Sequence, residues 1–132
     1  AMVFALGRST NDTLQAEIQQ EAKIYQDILQ ANTIDILQTQ PLRMLSALMW
    51  IEEYCPEAEF ILKTDDDVWI NVPHFMNFTK KIKSYAIYGH LAEHQKVNRD
   101  PAQDHVVVKN QYAPDEFPTF VWSWSYIFGS SV

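Results

Sequence analysis

Along this chain the spacing of apolar side chains switches between unbroken runs and helical periods, and each switch predicts an element. Val3 to Leu6 is an apolar run stopped by Gly7, which predicts a buried strand that delivers its loop at the carboxyl end; Met2 can extend it. From Thr13 the period is helical, with Leu14, Ile18, Ala22, Tyr25, Ile28 and Leu29 on one face, Gln, Glu and Lys elsewhere, and Asn11 or Asp12 as the cap. A poorly patterned stretch through Ile34, Ile36 and Leu37 leads to a second helix. Pro41 suits its first position, Leu42, Leu45, Leu48, Met49 and Glu52 continue it to about Tyr54, and Cys55-Pro56 stops it.

Phe60 to Leu62 is apolar on both faces and predicts a fully buried strand. Asp65-Asp66-Asp67 follows one step after Lys63-Thr64, then Val68 to Val72 reads as a brief extended piece. Pro73 opens a third helix with Phe75, Met76, Phe78, Thr79 and Ile82 inward. Ala86 to Tyr88 and Val106 to Val108 are strand candidates, separated by a polar loop from about His90 to Asp104, and the aromatic tail Phe117 to Phe128 reads as strand or extended chain. The order strand, helix, helix, strand, helix, strand predicts an α/β fold, a largely parallel sheet covered on both faces. Ligands of such sheets sit beyond the carboxyl ends of the strands, where the acidic triplet falls. No repeat or linker interrupts the chain, which begins within a predicted strand and is expected to be an incomplete portion of a larger catalytic domain.

Three adjacent carboxylates repel one another and suit strands poorly, so water, basic groups or a hard cation must relieve them. Carboxylate oxygens match Mg²⁺ or Mn²⁺, and such a cation can clamp a diphosphate. The competing reading is a solvated acidic turn.

Charge and length narrow the choice. At 132 residues and 47% apolar content the chain has the makings of one ordinary domain or a large piece of one, and its net charge of −7 argues against duplex nucleic acid as a partner. No run of about 18 apolar residues is present. Cys55 is the only cysteine, so no disulfide closes within the chain; it lacks the basic neighbours that make a nucleophile. Asn11-Asp12-Thr13 and Asn77-Phe78-Thr79 fit the N-glycosylation pattern.

Other residues carry two readings each. His90-Leu91-Ala92-Glu93-His94 spells an inverted zinc-protease pattern, which needs both histidines on one helical face, against a plain surface loop. Trp50, Tyr54, Trp122 and Trp124 could each be a sugar-stacking platform; Trp50, on the apolar side of a helix, fits core packing better, whereas Trp122 and Trp124 suit either. Lys63 can touch phosphate or form a structural ion pair with the acids.

Phe4-Ala5-Leu6-Gly7, Glu21 to Leu29, Trp50, Cys55, Lys63-Thr64-Asp65-Asp66-Asp67-Val68 and Asn71 together resemble the β-1,3-galactosyltransferase family, which includes β-1,3-N-acetylglucosaminyltransferases and is related to fringe. The likeness runs from Phe4 to Tyr126, densest at the acids. It implies a GT-A type, Rossmann-like catalytic domain, of which residues 1 to 132 would be one part, lacking the upstream strand and helix and the downstream portion with the base. It also implies an inverting transfer of galactose or N-acetylglucosamine from a UDP-sugar to a glycan acceptor in β-1,3 linkage.

The family's Asp-x-Asp motif falls on Asp65, Asp66 and Asp67. The resemblance makes Asp67 the direct Mn²⁺ ligand, with Asp65 the second candidate. Asp65 and Asp66 would face the ribose or the metal's water shell, and Lys63 the donor. The general base is expected beyond Val132. A Golgi location, lumenal and type II, follows from the family, with any membrane anchor outside this sequence. Glu21 and Asp27 match family positions that suit capping or packing.

Two stretches depart from the family. Asp35 to Pro41 keeps little of its Asp-Ser-Tyr-x-Asn-Leu-Thr stretch beyond Asp35, with basic Arg43 following. A glycine-rich run becomes Phe117-Pro118-Thr119-Phe120-Val121-Trp122-Ser123-Trp124-Ser125-Tyr126, which implies a reshaped sugar pocket. The alternative is therefore a catalytically silent relative that binds a UDP-sugar or glycan.

Overall fold

The computed structural model describes residues 2–103 and 105–130, so Asp104, the expected end of the polar loop, lies outside the described residues. The chain forms a mixed α/β structure in two units, Ala1–Glu57 and Ala58–Val132.

In the first unit a helix joins two parallel strands. β1 (Phe4–Arg8) leads to Asn11, whose side-chain oxygen accepts the Thr13 and Leu14 N–H groups at 2.9 and 3.2 Å and so caps α1 (Asp12–Tyr25). Such a cap contributes about 1 kcal/mol. α1 stops where Gln26 enters the left-handed region at φ 56°, its N–H donating to the Ala22 carbonyl. The chain then runs as β2 (Ile28–Ile34), with Phe4 opposite Ile28 and Leu6 opposite Gln30. Ile28 and Leu29, expected on the helix, thus belong to a strand. They lie three and four residues after Tyr25, so helical spacing alone passes over the stop, and a Gln does the turning that a Gly would have advertised.

A polar pin fastens α1 to the strands. Gln15 is buried, donates to the Gln30 side chain at 2.8 Å and accepts the Ser9 N–H at 2.9 Å, while Gln30 donates to the Gly7 carbonyl at 2.9 Å. A short 3-10 turn (Leu37–Thr39) precedes α2 (Gln40–Tyr54), with Pro41 in its first turn. Leu42, Leu45, Leu48 and Met49 stay exposed although their spacing predicts a core face. Two strands offer too little surface to cover a helix of 15 residues.

The second unit holds β3 (Phe60–Thr64), α3 (Val72–Thr79), β4 (Ile87–Ala92) and β5 (Phe120–Gly129). Its sheet has the order β3-β5-β4 and is antiparallel throughout, so the expected largely parallel sheet is realised only in β1 and β2. β3 is an edge strand with partly covered side chains rather than a fully buried one, because β5 is its only strand partner among the described residues. The aromatic tail is the central strand, and Ile127 and Phe128 are buried with Ala92 and Val97 as the core.

The stretch from Val68 to Val72 does not form a strand; the chain turns through the acids and enters α3, where Asn71 accepts the His74 N–H at 3.0 Å. Val106 to Val108 is also not a strand. The Arg99 guanidinium supplies what a sheet partner would have given, donating to the carbonyls of Val107, Tyr112 and Pro114. Nearby, the Val97 N–H donates to the Asp115 carbonyl and the Phe117 N–H to the Gln95 carbonyl, closing the long connection onto itself.

Candidate functional site

β3 ends at Thr64, and the acids form the reversal that follows. The Asp65 N–H donates to the Trp124 carbonyl of β5 at 2.8 Å, and the Val68 N–H closes on the Asp65 carbonyl at 3.4 Å, which leaves Asp66 and Asp67 at the corner of a turn. Asp65 is ion-paired with Lys63, whose ammonium also donates to the Ser123 carbonyl. The structural ion-pair reading of Lys63 is thus realised. Asp66 and Asp67 are exposed and form no ion pair among the described residues.

No three His, Cys, Asp or Glu side chains among the described residues gather as a metal site. A Mg²⁺ or Mn²⁺ ion that keeps waters and phosphate oxygens needs only one or two carboxylates, and Asp66 and Asp67 offer that donor chemistry.

Tyr126 shows that the acid turn acts on its surroundings. It stands opposite Lys63 in the β3–β5 register, and its hydroxyl is held above the ordinary tyrosine range, first by burial and then by the Asp65 charge. The neutral phenol is favoured in the fold, so its contribution to stability is complete below about pH 10 and is lost as pH rises through the raised value. Asp65→Asn is expected to bring Tyr126 part of the way back, burial keeping the rest, in an ultraviolet titration differenced against Tyr126→Phe. An unchanged curve would place Asp65 too far away to matter.

Beside the turn lies a mostly apolar cleft of about 250 Å³, where Val68, Trp69 and Ile70 meet His74, Phe75 and Phe78. Trp69 is 83% exposed.

The first unit has its own cleft of about 290 Å³ at the carboxyl ends of β1 and β2, bordered by Arg8, Ser9, Leu14 and Asp35. Gly7 makes it possible. Its N–H donates to Asp35 Oδ2 at 2.9 Å, and a Cβ at Gly7 would stand 2.7 Å from the Asp35 Cα. Arg43 pairs with the other Asp35 oxygen. Asp35 and Arg43, the remnants of the altered family stretch, are therefore one ion pair eight residues apart.

The inverted zinc-protease pattern does not form a site. His90 lies in β4 and His94 in the loop beyond, at φ 53°, so the helical face it needs is missing. Trp50 packs against Tyr54 along α2, ring centres 5.7 Å apart, and Cys55 is free and partly covered at the helix end. Sequence reasoning missed the carbonyls of Ser123 and Trp124 as the partners of Lys63 and Asp65; only the pairing of β5 with β3 reveals them.

The mixed α/β architecture with an acidic turn at a strand end agrees with a glycosyltransferase domain, and the comparisons specify which. The model of the Galactosyltransferase family matches residues 1–132, and the chain belongs to that family. It is 29% identical over 131 residues to "Beta-1,3-galactosyltransferase 5" of Homo sapiens, a match that covers 98% of this chain and 42% of the relative. "Beta-1,3-galactosyltransferase 4" of Mus musculus is 43% identical over 75 residues, 57% of this chain and 20% of the relative. "Lactosylceramide 1,3-N-acetyl-beta-D-glucosaminyltransferase A" of Danio rerio is 25% identical over 139 residues, 99% of this chain and 37% of the relative. The chain spans less than half the length of these relatives.

Proposed function

We propose that the chain contributes the metal and diphosphate site of an inverting β-1,3-hexosyltransferase of GT-A type, which moves galactose or N-acetylglucosamine from a UDP-sugar to a glycan acceptor. The lumenal face of the Golgi is the proposed location, by analogy with the family. No described helix is long and apolar enough to cross a membrane. One observation carries the reading: Asp65 to Val68 form a turn directly after β3, with Asp66 and Asp67 exposed and without an ion pair among the described residues.

Asp67 is the proposed ligand of Mn²⁺, with Asp66 toward its water shell or the ribose. When bound, the ion supplies counter-charge for the departing diphosphate. Lys63 holds Asp65 and β5 together, so the ammonium acts here by fixing the turn; Asp65 as a second ligand or ribose contact would have to share its carboxylate with that pair. The turn leaves Asp66 and Asp67 exposed and without an ion-pair partner among the described residues, so an incoming anion meets two uncompensated negative charges.

That electrostatics sets the test. A diphosphate has no reason to approach Asp66 and Asp67 unless a cation intervenes. Calorimetric titration with UDP is expected to show binding with Mn²⁺ and none after chelation. Equal affinity with and without the metal would overturn the site.

A second reading, a silent UDP-sugar or glycan binder, is favoured by the Ser123-Trp124-Ser125 segment that replaces the family's glycines. Metal-dependent UDP binding without sugar transfer across donors and acceptors would select it.

A further inference from the structure

Trp122, Trp124 and His90 form a column of rings that neither the acid turn nor the core requires. It arises from a register shift. β5 pairs regularly with β3 as far as Thr64 opposite Ser125, but against β4 Gly89 faces Tyr126 while Leu91 faces Val121. Between those pairs β4 has only His90, whereas β5 has Trp122, Ser123, Trp124 and Ser125. The surplus residues form a bulge, a device that re-aims side chains.

In that bulge the Trp122 and Trp124 rings stack with centres 4.7 Å apart and planes 10° from parallel. His90 stacks on Trp124 at 5.8 Å, and Phe120 meets Trp122 edge-on at 5.3 Å. Trp124 is still 42% exposed, and His90 is exposed too. The backbone beneath is fixed: the Ser123 carbonyl accepts from Lys63 and the Trp124 carbonyl from the Asp65 N–H. The open indole therefore belongs to a residue one hydrogen bond from the first acid of the turn.

We propose that this column binds a pyranose ring of the neutral acceptor glycan, a role that rests on the transferase reading. A pyranose has a C–H-rich face that packs on an indole, and its hydroxyls can pair with the indole N–H and the imidazole. Charge selects the ligand. The column is one hydrogen bond from Asp65, after which the unpaired Asp66 and Asp67 follow directly in the chain, a setting that disfavours an anionic partner; a neutral glycan lacks the diphosphate that would anchor a donor, so it needs an aromatic surface of its own.

The test measures binding of lactose and methyl β-D-galactopyranoside to the protein by saturation-transfer NMR and calorimetry, with UDP plus Mn²⁺ titrated in parallel. Trp124→Ala is expected to weaken glycoside binding roughly tenfold and leave UDP affinity unchanged, while Trp124→Phe keeps most of it. His90→Ala, at an exposed ring, guards against loss through misfolding and is expected to weaken binding about threefold. Unchanged glycoside binding in both alanine variants overturns the proposal, as does a wild-type protein that binds UDP with Mn²⁺ but neither glycoside. A Trp124→Ala loss seen with UDP-galactose but not with UDP moves the column to the donor sugar and overturns the acceptor assignment. Trp124-dependent glycoside binding without any metal-dependent UDP binding retains a sugar site, but overturns the transferase reading and the acceptor role with it.

Discussion

Gly129→Ala is expected to cost the Ala58–Val132 unit about 3 kcal/mol or more, a large fraction of the roughly 5–15 kcal/mol that holds an ordinary domain folded. A Cβ at this position would lie 1.8 Å from the Ser84 carbonyl oxygen and 2.3 Å from the Ser84 carbonyl carbon and Cα. These are backbone atoms, so no rotamer change relieves the overlap. Nor can β5 easily step aside: Gly129 pairs with Phe60, the next N–H donates to the Glu59 carbonyl, and the preceding Phe128 is buried. Gly89→Ala provides the contrast. Its Cβ would meet Val121 Cγ1 at 2.4 Å and the Tyr126 Cβ at 3.0 Å, with the nearest backbone atom, the Ser125 carbonyl oxygen, at 3.3 Å, so the tightest overlap is with a side chain and a smaller loss of about 1–2 kcal/mol is expected. Thermal melts should rank the two variants in that order, and near-ultraviolet circular dichroism should lose the signal of the stacked Trp122–Trp124 pair in Gly129→Ala. A midpoint at the wild-type temperature for Gly129→Ala would refute this close approach.

How much of this was legible in the sequence differs between elements for physical reasons. β1, α2, α3 and the strand before the acids could be read because the apolar runs, Pro41 and Pro73 mark them locally, although β1 continues through Gly7 to Arg8, held there by its pairing with β2, rather than stopping at the glycine. β2 could not, since the helix before it closes on Gln26 and its first two residues continue the helical spacing. The direction of the second sheet was hidden too. Antiparallel pairing of β3 with β5 joins Phe60 to Gly129, near opposite ends of their unit, and no local pattern encodes that partner. The acid triplet itself was plain, but its setting was not. Lys63 shares its ammonium between a neighbouring carboxylate and a carbonyl 60 residues away, so its structural role appears only once β5 is in place. The same pairing turns two tryptophans in a tail into a surface beside the turn.

Asp67→Ala is the substitution expected to damage the proposed site most. Two unit charges about 4 Å apart interact by about 4 kcal/mol at an effective dielectric of about 20, and the exposure of the turn reduces this, so a loss of roughly a hundredfold in Mn²⁺-dependent UDP affinity is expected. The fold should tolerate the change, because Asp67 sits at the turn corner and makes no ion pair among the described residues. Asp67→Asn retains the shape and one good oxygen but removes the charge, and is expected to lose nearly as much. Asp66→Ala should lose less if that carboxylate meets the ion only through water. Asp65→Asn carries the opposite signature: it breaks the pair with Lys63, so it is expected to perturb Tyr126 and the melting temperature more than UDP binding. Calorimetry of the four variants at one Mn²⁺ concentration, with melting curves beside it, separates ligation from support. If Asp65→Asn abolished UDP binding while Asp67→Ala left it intact, the ligand would be Asp65 and the Lys63 pair an arrangement that gives way to the metal.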